Sequence, residues 1–232
     1  MDKKVKVLLA EDDAQLGLLI MENLEDEGYE VVYCENGAIA WEQFQKEEPD
    51  ICLLDVNMPE RDGFSLAKKI RQKTDIVPII FLTAKSMEED KLRGFETGAD
   101  DYVTKPFSFR ELVSRIQVFI RRNKMLMRES KQSYEWGNLF FNPSELFLRV
   151  DGTDTTMTQK EADLLNFFCE HADSALRRED ILTHIWGKND YFLGRSMDVF
   201  ITRLRKLLKN ADAVSLETIH QVGFRLNTKH AG

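Results

Sequence analysis

Five short apolar runs, separated by segments whose apolar residues recur at helical spacing, constrain the first half of this chain more than any other feature. The runs are "VKVLLA", "YEVVYC", "DICLLD", "VPIIFLT" and "DYVTKP", each long enough for a strand and too short for a helix. Between them, stretches such as "AQLGLLIMENLEDEG" and "AIAWEQFQKEE" repeat apolar residues every three or four positions, as an amphipathic helix does. Strands alternating with helices build an α/β layer with a parallel sheet. Capping-box patterns at Ser86 to Glu89 and Ser108 to Glu111 mark helix starts, and Gly28 marks the end of the first helix. The last helix of this half is expected to end near Arg122.

The third run gives the sheet a chemical edge. In "ICLLDVNMPE" an apolar strand delivers Asp55 and then stops, because Pro59 has no amide proton for a strand ladder. Parallel strands share a direction, so their carboxyl ends converge at the side where ligands bind. The first strand runs into Glu11, Asp12 and Asp13, the fourth ends at Thr83, and the fifth ends at Lys105 before Pro106. Taken singly, Asp55 is a turn or capping aspartate, Lys105 a surface lysine and Thr83 a strand end; together they make a site. Carboxylates from two strands, with a backbone carbonyl near Asn57, suit Mg²⁺, which takes oxygen ligands octahedrally. Asp55 can attack phosphorus to form an acyl phosphate. Lys105 offers a positive charge and Thr83 a hydroxyl to the phosphoryl oxygens. Asp13 lies outside the pair and is expected to be a helix N-terminal charge.

The second half has a different rhythm. Residues 123–133, "NKMLMRESKQS", carry no clear period and are expected to be a linker between a domain over 1–122 and another over 134–232. Beyond them, "YEWGNLFFNPSELFLRVDG" contains short strands broken by the turn signal Asn142-Pro143-Ser144, which predicts an antiparallel sheet. A capping box at Thr158 to Glu161 opens "TQKEADLLNFFCEHA", followed by the helical "REDILTHIW" and "RSMDVFITRLRKLLK". The end, "SLETIHQVGFRLNT", predicts two short strands around Gly223. Sheet, three helices and hairpin describe a winged helix-turn-helix.

Charge separates the halves as well. Of the net charge of −8, residues 1–122 supply all, with 17 basic and 25 acidic side chains, and the remainder is balanced at 15 of each. Within that neutral half, the segment Arg195 to Lys209 sets Arg195, Arg203, Arg205, Lys206 and Lys209 against Asp198 alone. Such a stripe is a candidate phosphate-binding face, although charge by itself equally describes a solvated helix. The third helix buries Met197, Val199, Phe200, Ile201, Leu204, Leu207 and Leu208 in some combination, so Thr202, Arg203, Arg205 and Lys206 should project. In a major groove, arginine reads guanine and threonine meets the thymine methyl. Arg195 is assigned to phosphate and Asp198 to structure.

The motifs "LLAEDD", "LLDVNMPERDGF", "IIFLTA" and "GADDYVTKPF" resemble the receiver domain of two-component response regulators, and "TQKEADLL" with "GRSMDVFITRLRKLL" resembles the winged-helix effector of the OmpR/PhoB subfamily. The resemblance spans nearly the whole chain. It implies a doubly wound five-stranded receiver followed by a DNA-binding domain, with Asp55 as phosphoacceptor, Glu11 and Asp12 as the acidic pair, and Asn57 lending its carbonyl to Mg²⁺. It implies a cis bond at Lys105-Pro106, and a switch in which Thr83 moves toward the phosphate and the ring of Tyr102 turns inward. The surface changed by that switch comprises the fifth strand and the helices before and after it. There the resemblance implies a two-fold dimer pairing Lys91 with Glu111, Asp100 with Arg122, and Asp101 with Arg115. A sensor histidine kinase, double-stranded DNA, a second copy of the chain and RNA polymerase are the implied partners. In the wing, "TIHQVGFRL" carries His220 where many relatives have an arginine, so a fixed charge becomes a conditional one.

Two other function classes compete. A phosphohydrolase would keep the Asp55 chemistry but needs a second catalytic aspartate, for which Asp62 is a weak substitute, and a substrate cap. A protein-binding module would use the winged helix on a protein and leave the acidic pocket without purpose. No apolar run reaches the roughly 20 residues of a membrane span, so no membrane association and a cytoplasmic location are expected. Cys34, Cys52 and Cys169 are too few and too scattered for a disulfide framework and are expected in the core.

Overall fold

A computed structural model describes residues 4–84, 97, 99–129, 133–187 and 191–229, with side chains at all of these except 121–129, 191–193, 195 and 196. The chain divides into two compact units, Met1–Arg121 and Arg122–Gly232.

In the first unit, strands β1 (Lys6–Ala10), β2 (Glu30–Cys34), β3 (Ile51–Asp55), β4 (Ile79–Ala84) and β5 (Asp101–Lys105) form one parallel sheet in the order β2-β1-β3-β4-β5. Each begins within two residues of its expected run. Helix α1 (Ala14–Asp26) starts where the Asp13 carboxylate accepts from the amides of Gln15 and Leu16, so Asp13 is a cap rather than part of the acidic pair. Helix α2 (Gly37–Glu47) is capped in the same manner by Asn36, and α3 (Gly63–Lys73) by Asp62. Helix α4 (Phe109–Glu129) follows β5, its start held by the Ser108 hydroxyl on the Glu111 amide.

Alternation along the strands sends side chains to both faces. One face places Val7, Leu9, Ile51, Leu53, Ile80, Leu82 and Val103 against Ile20 and Leu24 of α1 and Leu112, Ile116 and Phe119 of α4, all buried. With both faces covered, polar groups concentrate at the strand ends. The last helix departs from expectation: it continues to Glu129, seven residues past Arg122 and into the stretch expected as linker. The residues 123–129, "NKMLMRE", contain good helix formers and neither glycine nor proline, so nothing in them stops the helix. The capping box expected at Ser86 to Glu89, and Lys91, lie outside the described residues.

The second unit opens with an antiparallel sheet of β6 (Tyr134–Trp136), β7 (Leu139–Asn142), β8 (Phe147–Val150) and β9 (Thr153–Thr156), in sequential order. The Asn142-Pro143-Ser144 signal forms a 3₁₀ turn in which the Asn142 side chain accepts from the amides of Ser144 and Glu145. Helix α5 (Gln159–Glu170) has the expected reciprocal capping box between Thr158 and Glu161. Helices α6 (Arg178–Trp186) and α7 (Tyr191–Leu207) follow. A short strand β10 (Leu176–Arg177), which the sequence did not announce, pairs with β12 (Gly223–Thr228), and β12 pairs with β11 (Val214–Ile219).

That pairing explains Gly223. The turn is carried by His220 to Val222, with Gln221 at a φ of 63°, while Gly223 sits inside the ladder. A Cβ there would lie 3.0 Å from the Arg178 amide nitrogen and crowd the Leu176 carbonyl. Glycine admits β10.

Candidate functional site

The site lies at the carboxyl ends of β1, β3, β4 and β5, where β1 and β3 adjoin at the point at which the strand order reverses. Ligand oxygens of Glu11, Asp12 and Asp55 all fall within 4.8 Å of one another. Glu11 is fully buried and Asp55 is 6% exposed, whereas Asp12 faces solvent. Lys105, at the end of β5, brings its ammonium to 2.7 and 2.8 Å from the two Glu11 oxygens and 3.2 Å from an Asp55 oxygen. Thr83 is buried at the end of β4, and the Lys105-Pro106 bond is cis. Tyr102 is also buried, 6% exposed, one strand residue away from Asp101.

Burial sets the electrostatics. Desolvation raises the Glu11 pKa to about 7; the Lys105 hydrogen bond opposes this rise and the nearby Asp55 charge adds to it. Asp55 is raised for the same first reason, against the charge and hydrogen bond of Lys105 and a backbone amide donated by Asn57. One ammonium is therefore shared between two buried carboxylates, with a third at the rim. The pocket has more negative charge than its own lysine satisfies, and oxygen donors alone are what Mg²⁺ prefers.

The loop after β3 shapes the Asp55 side. The Gly63 amide donates to the Val56 carbonyl at 3.0 Å, and a Cβ on Gly63 would lie 3.0 Å from the Asp55 carbonyl carbon and 3.1 Å from Val56 Cα. This close approach fixes where Asp55 ends its strand, which the sequence marked only by the stop at Pro59. Asp62 is engaged as the α3 cap, its carboxylate accepting from the Ser65 amide and hydroxyl.

The charged residues expected on a dimer face divide. Arg115 and Asp101 are largely buried, 8% and 4% exposed, and Arg115 reaches Asp101 at 2.7 Å and the partly exposed Glu111 at 3.3 Å within the same chain. Asp100 is 1% exposed, bonded to Arg71 at 2.7 Å and to the Ile79 amide at 2.9 Å, so it belongs to the interior between α3 and β4 instead of projecting. Its place at the start of β5 turns it inward, a direction that a run of two aspartates does not reveal. The side chain of Arg122, and all of Lys91, lie outside the described residues.

In the second unit, α7 buries Met197, Phe200, Ile201 and Leu204, with Val199 and Leu207 half-buried, and Leu208 just past its end is buried as well. Thr202 and Lys206 are exposed on its outer side, and Arg203 is half-buried beside Glu161 at 3.4 Å. Arg205 does not project freely. Its guanidinium donates to the Leu216 carbonyl at 3.0 Å and the Thr218 hydroxyl at 2.6 Å, joining α7 to β11. Asp198 holds Arg178 through two bonds of 2.7 and 2.9 Å. His220 is exposed in the β11–β12 turn, and the side chain of Arg195 lies outside the described residues.

Comparisons with known proteins agree with this architecture. Residues 7–117 match the response regulator receiver domain, and 152–226 match the transcriptional regulatory protein C-terminal domain. The chain is 42% identical over 228 residues to the transcriptional regulatory protein RprY of Bacteroides fragilis, covering 98% of this chain and 97% of that one. It is 38% identical to the phosphate regulon transcriptional regulatory protein PhoB of Pseudomonas aeruginosa, over 96% of this chain and 97% of that one. The response regulator DrrB of Thermotoga maritima, an OmpR/PhoB homologue, matches in structure with a TM-score of 0.50 at 27% identity, over 97% of this chain and all of that one. With an acidic pocket at the sheet edge of the first unit, a winged helix following in the chain and relatives matched from end to end, this chain belongs to the OmpR/PhoB family of two-component transcriptional response regulators.

Proposed function

We propose that Asp55 is the residue phosphorylated by a sensor histidine kinase, and that Glu11, Asp12, Asp55 and the Asn57 carbonyl hold Mg²⁺ for the transfer. The observation that carries this assignment is the placement of Asp55, buried at the end of β3 with its carboxylate 3.2 Å from Lys105 and beside Glu11 and Asp12. An Asp55 oxygen forms the new P–O bond while the P–N bond of a phosphohistidine breaks, and the bonding pair leaves on the imidazole, which takes up a proton. Bound Mg²⁺ supplies positive charge for the phosphoryl oxygens. Lys105 offers its ammonium to one oxygen and Thr83 its hydroxyl to another. The chain turns over no external substrate: its one reaction is at its own carboxylate.

The switch runs through Thr83 and Tyr102, and favours a homodimer through the surface bearing Glu111, Arg115 and Asp101, with Lys91 and Arg122 as further members. The intrachain pairs of Arg115 are then exchanged or shared across the two-fold axis. The effector reads double-stranded DNA with Thr202, Arg203 and Lys206 of α7, Arg195 at a phosphate and His220 in the wing, and RNA polymerase is recruited from the cytoplasm. Among the described residues no helix is long and apolar enough to cross a membrane. Incubating the protein with acetyl phosphate and Mg²⁺ tests the assignment. Acyl phosphate is expected on the wild type and none on Asp55→Asn, whose amide is a far poorer nucleophile; equal labelling of the two would overturn it.

A further inference from the structure

Glu11 lies one residue past the end of β1, where the strand ladder runs out and the chain must turn into α1. Both polar groups of its main chain are nevertheless held by β2. The Glu11 amide donates to the Cys34 carbonyl at 3.1 Å, and the Glu11 carbonyl accepts from the Tyr33 hydroxyl at 3.1 Å. The first bond prolongs the ladder by one residue. The second comes from a side chain, and it falls on the carbonyl of the peptide that joins Glu11 to Asp12. Two residues on, Asp13 is locked as the α1 cap. The segment that presents both acidic side chains is thus fixed by Tyr33 at one end and by the helix at the other.

An independent feature supports a dedicated place for that phenol. Gly17 lies in α1 and is buried, although glycine is a poor helix former. A Cβ on it would meet Tyr33 Cζ at 2.6 Å and the Tyr33 hydroxyl oxygen at 2.8 Å. Any larger residue at 17 displaces the ring from the Glu11 carbonyl.

We infer that Tyr33, admitted by Gly17, is a positioning residue for the cation site: by holding the Glu11–Asp12 peptide it aims the two carboxylates that, with Asp55, are proposed to bind Mg²⁺. The inference rests on that proposal. The hydroxyl touches neither the cation nor the phosphoryl group, so its loss weakens cation binding and leaves the chemistry alone.

Tyr33→Phe removes the hydroxyl and keeps the ring. In the full chain, calorimetric titration with magnesium chloride should show affinity reduced about threefold to tenfold, the worth of one neutral hydrogen bond. The half-saturating Mg²⁺ for phosphorylation by acetyl phosphate should rise in parallel, while the rate at saturating Mg²⁺ stays within about twofold of wild type. Gly17→Ala should give a similar loss, and the double variant little more than either single one, because both remove the same contact. Wild type that binds Mg²⁺ no better than Tyr33→Phe would overturn the role of Tyr33 and leave the cation site standing. Wild type that shows no Mg²⁺ saturation would overturn the cation site and the role of Tyr33 together. A fall in saturating rate as large as the rise in half-saturation would mark general damage to the pocket and also overturn the positioning role.

Discussion

Replacing Lys105 by methionine removes the cation between two buried carboxylates and keeps most of the stem that packs there. In the wild type the ammonium lies 2.7 Å from one Glu11 oxygen and 3.2 Å from Asp55, and its side chain is 22% exposed. Breaking a buried ion pair from one side typically destabilises by 3–5 kcal/mol, because a charge is left without a partner. Partial exposure of Lys105 and the open side at Asp12 bring the expected loss to about 2–3 kcal/mol at pH 8 without Mg²⁺. The loss should depend on pH in a definite direction. Glu11 is already raised to about 7 with Lys105 beside it, and goes higher without it. Between the unfolded carboxylate value, about 4.3, and the folded one, the native state binds the extra proton, so stability falls as pH rises. The deficit of Lys105→Met is therefore largest at pH 8 and smaller at pH 5.5, where the Glu11 carboxyl is protonated. Millimolar Mg²⁺ at pH 8 should recover part of it by mass action. Urea unfolding of the full chain by circular dichroism, with the winged-helix transition as internal reference, measures all three quantities. A deficit equal at both pH values and indifferent to Mg²⁺ would show that only the packing of the lysine stem matters.

Arg205→Ala should destabilise the winged-helix unit by about 1 kcal/mol and weaken all DNA sites alike by loosening β11 from α7, whereas Arg203→Ala should relax base preference; selection from random DNA with each variant separates the two. Asp101→Arg sets a second cation beside Arg115, so it should weaken phosphorylation-dependent dimerisation and lower receiver stability by about 1–3 kcal/mol, with partial recovery on adding Arg115→Asp. Sedimentation showing unchanged dimerisation in the single variant would remove Asp101 and Arg115 from the interface. His220→Ala should weaken binding to one DNA site at fixed salt, and an unchanged affinity would take His220 out of the contact surface.

Much of this protein is legible in one dimension because its sheet is buried on both faces. A strand with no solvent side is apolar along most of its length, so the runs within "VKVLLA" and "DICLLD" mark themselves, and the polar residue that ends each, Glu11 and Asp55, marks the active edge. Asp55, Glu11, Thr83 and Lys105 could be brought together from strand direction alone, since parallel strands end on the same side. Local signals also served: the box at Thr158, the Ser108 hydroxyl on the Glu111 amide, the Asn142 turn and Asp13 at the start of its helix depend on neighbours a few residues away. What the sequence could not decide were long side chains reaching distant partners. Asp100 turns in toward Arg71 and Arg205 lies down on β11, and each pairing joins positions too far apart for any local pattern to register. Lys160, one residue past a predicted helix start, is buried with its ammonium on the Ile185 carbonyl and over the Trp186 ring. Gly17 and Tyr33 make the same point, since only the packing of α1 on β2 shows that the glycine is a space for the phenol. Strand direction and caps follow from covalent neighbours and backbone geometry. The ends of flexible side chains are placed by whichever partners the finished fold brings within reach.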